Sequence, residues 1–153
     1  MEDKIQFLKT DLINLLQNLK SEAKGKWGVM NGQQMVEHMS DSVRIANGKT
    51  PKKILTPAEL VPKYKTFMLS EKPFKKNTKN IELSEVPPPA QQPSMQAAIN
   101  ELKNEIADFF AAFEKADSKI ITNPFFGDLN FEEWVHLLHK HATHHCKQFG
   151  LIN

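Results

Sequence analysis

One cysteine, one arginine and one tyrosine stand among 153 residues, and each scarcity closes a route. Cys146 is alone, so no intramolecular disulfide can form, which fits a reducing compartment. Arg44 is the only guanidinium among 20 basic residues, so bidentate clamps on phosphates or carboxylates are nearly unavailable. No apolar run approaches the ~18 residues of a membrane span, and no membrane partner is expected. The N-terminus MEDKIQFLKT is acidic and amphipathic, unlike a signal or transit peptide, so a cytoplasmic location is the expectation. Net charge is only +2 with neutral histidines, and the lysine clusters lack interleaved aromatics. Nucleic acid is therefore not an expected partner. There is no internal repeat, and no alternation strong enough to support a sheet.

What is present is helical periodicity. Ile5, Leu8, Leu12, Leu15, Leu16 and Leu19 recur at three- and four-residue steps and predict a helix over 3–20, ended at the segment KGKWG. Asn31 can cap a second helix with Met35, Met39, Val43 and Ala46 on one face, stopped by Gly48 and Pro51. Residues 95–113 carry the cleanest amphipathic pattern, from Met95 to Phe113, opened near Ser94. The last helix opens at Asn130, where N-F-E-E reads as a capping-box variant with Glu133 reaching back. It runs to about Phe149, with Gly150 past its end. Residues 47–93 differ: they hold eight of the nine prolines and nine lysines. Thr56-Pro57-Ala58-Glu59 could start a short helix there, which Pro62 would kink or end. The run PPPAQQP reads as extended, and NTKNIELSEV as locally extended. The expectation is one all-α domain over 1–153, a four-helix bundle with a long crossover at 47–93 between helices two and three.

The densest chemistry is HLLHKHATHHCKQFG, which puts five of six histidines between His136 and His145. At about 100° per residue, Trp134, Leu138, His141 and His145 share a sector of roughly 60°. His136 and His139 fall on the opposite face with Lys140, Thr143 and Lys147 and read as solvated residues, and His144 lies at the boundary. Two histidines one turn apart on an apolar face each need a partner or suffer desolvation, and a shared divalent cation satisfies both. His38, on the flank of the second helix, could complete a three-histidine site with open positions. Its plain alternative is a boundary histidine bonded to a carbonyl. Three imidazoles suit Zn²⁺, Ni²⁺ or Fe²⁺, and spacing does not choose among them. Ala142 follows His141, so this is not HExxH and no protease-type base stands there.

The combination of WGVMNGQQMVEHMS, a long crossover, NPFFGDLNFEEW and HLLHKHATHHCKQFG resembles the DinB/YfiT-like superfamily of metalloenzymes. The N-terminal motif is similar to a subgroup of unknown function. The resemblance covers most of the chain in layout, with its specific motifs at 27–39 and 123–149. It implies a four-helix bundle with long crossovers, often dimeric, so a homodimer is expected. It also implies a metal held by one histidine of the second helix and an HxxxH pair of the fourth. Those roles fall on His38, His141 and His145. Relatives often show HHRGQ where this chain has His144-His145-Cys146-Lys147-Gln148, without the Arg and Gly, which bears on substrate more than on metal. Some relatives are transferases or isomerases that use mycothiol, bacillithiol or glutathione, so a low-molecular-weight thiol is an implied cofactor. The family name records damage-inducible expression, which implies a stress-response role and not DNA binding.

Around the three histidines, Gln34 and Asp41 could border the site or orient a ligand, although Asp41 reads more readily as a solvated residue. Gln148 could act behind His145. Trp27 and Trp134 read as packing residues, with Trp134 placed to wall a pocket, and Cys146 points away from the ligand pair. The leading reading is a metal-dependent transferase or hydrolase acting on a small molecule of unknown identity. Its rivals are a non-catalytic bundle, a degenerate enzyme, and a nucleic-acid-associated stress protein.

Overall fold

The computed structural model describes residues 1–76, 86–115 and 119–153. The expected extended stretch at NTKNIELSEV lies, but for Val86, outside the described residues. The described chain is mostly helical. The first helical stretch runs over α1 (Glu2–Gln6), a π-helical turn (Phe7–Asp11) and α2 (Leu12–Leu16). Leu8, Leu12 and Leu16 are all buried. A strict four-residue step drifts about 40° per step around an α-helix. The wider turn, closing i→i+5 bonds, takes up that drift and keeps the three leucines on one edge. The helix ends at Leu16, earlier than its leucine pattern predicts, and Leu19 reaches the core from the following turn (N–H to Leu16 O, 3.0 Å).

Helix α3 (Gly32–Ala46) starts where expected. The Asn31 side chain accepts from Gln34 N at 2.8 Å, and Gln34 Oε1 accepts from Asn31 N at 2.9 Å. Helix α5 (Met95–Glu114) is capped by Ser94, whose hydroxyl accepts from Ala97 N. These two helices pack on each other and share an ion network at one edge. Arg44 reaches Asp41, Glu101 and Glu105 at 2.8 Å each, and Lys49 reaches Glu105 at 2.6 Å. The single guanidinium thus joins helices and is not a ligand clamp.

The crossover carries a helix of its own, α4 (Val61–Leu69), and Pro62 has the opposite role to the one expected. It sits in the first turn, where a missing N–H costs nothing and a fixed φ helps. The residues Thr56–Glu59 precede the helix as a turn, with Leu60 N–H bonded to Pro57 O. Helix α4 lies against α6 (Phe131–Gln148), and its Met68 is fully buried.

A small sheet also departs from expectation. Strand β1 (Ile121–Asn123) pairs antiparallel with β2 (Gly127–Leu129), Ile121 opposite Leu129. Asn123 Oδ1 accepts from the N–H groups of Phe125 and Phe126 at 2.8 and 3.0 Å, which builds the reversal. Strands of three residues are too short to show an alternating pattern. The hairpin leads into α6, where Asn130 and Glu133 form the expected capping box. At the other end, Gly150 N–H returns to Lys147 O and Leu151 N–H to Cys146 O. No helix among the described residues is long and apolar enough to cross a membrane.

Candidate metal centre

Two helices meet at three histidine rings. Helix α6 is locked at its start by the Asn130 box and by Trp134, whose indole N–H donates to Ile121 O at 3.0 Å. Leu137, Leu138 and Ala142 are buried, and this fixes the helix's rotation. His141 and His145 then project one turn apart toward α3, where Met35, Val36, Met39 and Val43 hold the complementary face. His38 comes from the flank of that face. Its Nε2 lies 3.0 Å from His141 Nε2, which lies 3.0 Å from His145 Nε2. One nitrogen of each ring falls within 4.8 Å of the other two.

The orientation of one ring is held from behind. His145 Nδ1 is 2.7 Å from Gln148 Oε1, while Gln148 Nε2 donates to Trp27 O at 2.9 Å. The amide can do both only if its oxygen faces the ring, so His145 carries its proton on Nδ1 and turns a lone pair inward. Burial is the first cause of a low basicity in all three rings. It brings His38 down to about 4 and His145 to about 3, and places His141 well below the ordinary value. Repulsion between neighbouring rings adds to it: from His145 and His38 on His141, from His38 on His145, and from His144 on all three. At neutral pH the rings are uncharged.

Three neutral rings facing one another leave a problem of partners. His141 Nε2 has either one proton or one in-plane lone pair, so it cannot make two full hydrogen bonds to its two neighbours. A shared cation accepts all three lone pairs. Nitrogens about 2.0–2.1 Å from one ion, at angles of about 90–110°, stand roughly 2.9–3.4 Å apart, and the two 3.0 Å separations fall within that span. The donor set therefore fits a divalent metal ion.

Other residues fall differently from expectation. Gln34 closes the α3 cap and donates to Pro88 O, so it does not border the rings. Asp41 is exposed and paired with Arg44. Trp134 is a fully buried core residue. Cys146 is buried, and desolvation pushes its thiol up to about 12. His136 and His139 stay out of the cluster, but His139 is packed edge-on against Phe7 and is not freely solvated. The largest displacement is Lys140, expected on a solvated face. It is buried, and its ammonium donates to the carbonyls of Phe67 (3.1 Å), Ser70 (2.8 Å) and Lys72. The crossover covers this side of α6, and Lys140 holds the end of α4.

The loop that carries Trp27 was not recognisable as part of the site. Gly28 has φ +81°, and a Cβ there would stand 2.6 Å from Gln148 Nε2. A Cβ on Gly25 would meet Trp27 O at 2.8 Å and Gln148 Cγ at 3.0 Å. The bare backbone lets this loop close onto Gln148. Apart from the motif that begins at Trp27, the local signal is the pairing of two glycines around a tryptophan in GKWG.

Over residues 10–149 the chain matches the family model described as the DinB superfamily. No curated protein and no solved structure matches it.

Proposed function

The chain belongs to the DinB superfamily, and on that premise we propose that it is a metal-dependent enzyme whose divalent cation is held by His38, His141 and His145. The convergence of three neutral Nε2 atoms is the observation that carries this reading. A divalent cation with open positions lowers the pKa of a coordinated thiol or water and so supplies a nucleophile near neutral pH. The reaction class is transfer from a low-molecular-weight thiol to an electrophile, or hydrolysis. Zn²⁺, Ni²⁺ and Fe²⁺ all accept this donor set.

The chain's own groups have separable tasks. Gln148 fixes the tautomer and plane of His145, and the Trp27 backbone fixes Gln148. Burial keeps the imidazoles unprotonated and available as donors. Cys146 does not provide the thiol, because its sulfur is buried and stays protonated at neutral pH. A thiol substrate therefore enters from solution.

The test is metal content after purification, wild type beside His141→Ala, with His136→Ala as a control away from the cluster. About one ion per chain in wild type and in His136→Ala, and loss of it in His141→Ala with the helical circular-dichroism signal retained, is the expected result. Equal metal in wild type and His141→Ala refutes the assignment.

A further inference from the structure

Next to the three rings, on the far side of His144, lies a cleft of about 240 Å³. Trp27, Phe74, Lys76, Lys140, His144 and Lys147 line it, and none of the described residues that line it is acidic. The volume is somewhat below the ~300–1,000 Å³ of sites for drug-sized ligands, so it suits a single-ring molecule. Its aromatic walls are set at angles to one another. His144 stands edge-on to Trp27 (centroids 5.6 Å) and to Phe74 (6.1 Å), and Lys76 Nζ lies 4.8 Å from the centre of the Trp27 ring.

The charges divide by role. Lys140 is occupied by backbone carbonyls, with Glu71 acting on it from nearby, and it belongs to the fold. Lys76 and Lys147 are exposed at the mouth and bring two ammonium groups to an opening lined by rings.

We propose that this cleft binds a small organic anion, an aromatic or similarly flat carboxylate. Its ring lies against Trp27 and Phe74, and its carboxylate faces Lys76 and Lys147. The inference rests on the metal reading only in making this anion a substrate of that centre. His144 and His145 rings are 5.1 Å apart, and Gln148 ties Trp27 to His145, so cleft and rings share one wall.

The experiment uses the full-length chain stripped of metal by a chelator, so that its outcome is independent of the metal assignment. Benzoate, benzamide and inorganic phosphate are titrated separately while tryptophan emission is followed. Trp27 lines the cleft and Trp134 is buried in the core, so a Trp27→Phe variant identifies the reporter. The expected result is saturable quenching by benzoate that disappears in Trp27→Phe. Benzamide should have little effect, and the Lys76→Gln, Lys147→Gln double variant should bind benzoate about tenfold more weakly. Equal binding of benzamide, or an unchanged affinity in the double variant, overturns the anion assignment. Phosphate binding as tightly as benzoate overturns the flat, apolar part. Failure here with normal metal content leaves the metal reading standing, and the reverse holds as well.

Discussion

Replacing Gly28 by alanine should weaken metal binding from a position that touches no histidine. Two costs arise at this residue, and a second glycine separates them. The first is conformational: φ is +81°, and an L side chain in the left-handed region costs about 1–2 kcal/mol. The second is steric. The new Cβ would stand 2.6 Å from Gln148 Nε2, so the amide must move. That breaks its 2.9 Å bond to Trp27 O, a net loss of about 0.5–1.5 kcal/mol, and it disturbs the 2.7 Å contact that orients His145. Gly48 has nearly the same dihedral, φ +85°, but a Cβ there meets only Ile121 Cδ1 at 3.9 Å. Gly48→Ala therefore carries the conformational cost alone. Urea unfolding of the two variants should give losses of about 2–3 and 1–2 kcal/mol respectively. Competition against a chromophoric chelator should show affinity for Zn²⁺ down about 10–100-fold in Gly28→Ala, as when a group behind a metal ligand is lost, and unchanged in Gly48→Ala. Equal metal affinity in the two variants would refute the argument that the Trp27 loop acts on the site through Gln148.

Two further outcomes follow from buried charge. In the metal-free chain, His38 and His145 titrate at about 4 and about 3, against an ordinary value of 6.5, so between those limits the unfolded chain binds more protons than the folded one. Stability is then unaffected above about pH 7 and falls as pH drops through 6.5. The loss is about 2 kcal/mol per ring at pH 5, and the chelated protein's urea midpoint should fall accordingly. A His38→Gln, His145→Gln variant should lack most of that slope, and an equal slope in wild type and variant would contradict the account. Lys140→Ala should cost about 2–3 kcal/mol by removing charge-assisted, part-buried bonds to three backbone carbonyls, with faster amide exchange confined first to Ser70–Lys72. Unchanged protection there would show that Lys140 does not hold the end of α4.

Local rules were readable in the sequence wherever three or four residues decide the matter. Asn31 with Gln34, and Asn130 with Glu133, define helix starts through contacts confined to one turn. The angular sorting put His141 and His145 on one side for the same reason, because α6 is regular and their rings meet there, whereas it left His139 on a solvated face where Phe7 covers it. What failed depended on something distant. Lys140 looks solvated on an isolated helix, and only the return of residues 67–72 over that face makes it buried. Pro62 ends one candidate helix and begins another equally well, and the docking of α4 on α6, with Met68 buried, selects the second. Gln34 seemed a neighbour of His38 by spacing, but its capping bond to Asn31 turns it elsewhere. The Trp27 loop is invisible without knowing that Gln148 lies beneath it, 121 residues along the chain.

His38 and His141 are separated by 103 positions, yet their ring nitrogens stand 3.0 Å apart. An ion seated between them would act as a cross-link that closes a loop of two-thirds of the chain. In an unfolded chain such a closure carries an entropy penalty of about (3/2)RT ln n, roughly 4 kcal/mol, before any other constraint is counted. The folded chain has met that cost already through the packing of α3 and α5 and the docking of α6. Affinity for the ion is then a measure of tertiary order as much as of coordination chemistry. A peptide spanning α6 alone, HxxxH included, would bind far more weakly than the protein, and any substitution that loosens α3 from α6 would release the metal before it melts a helix.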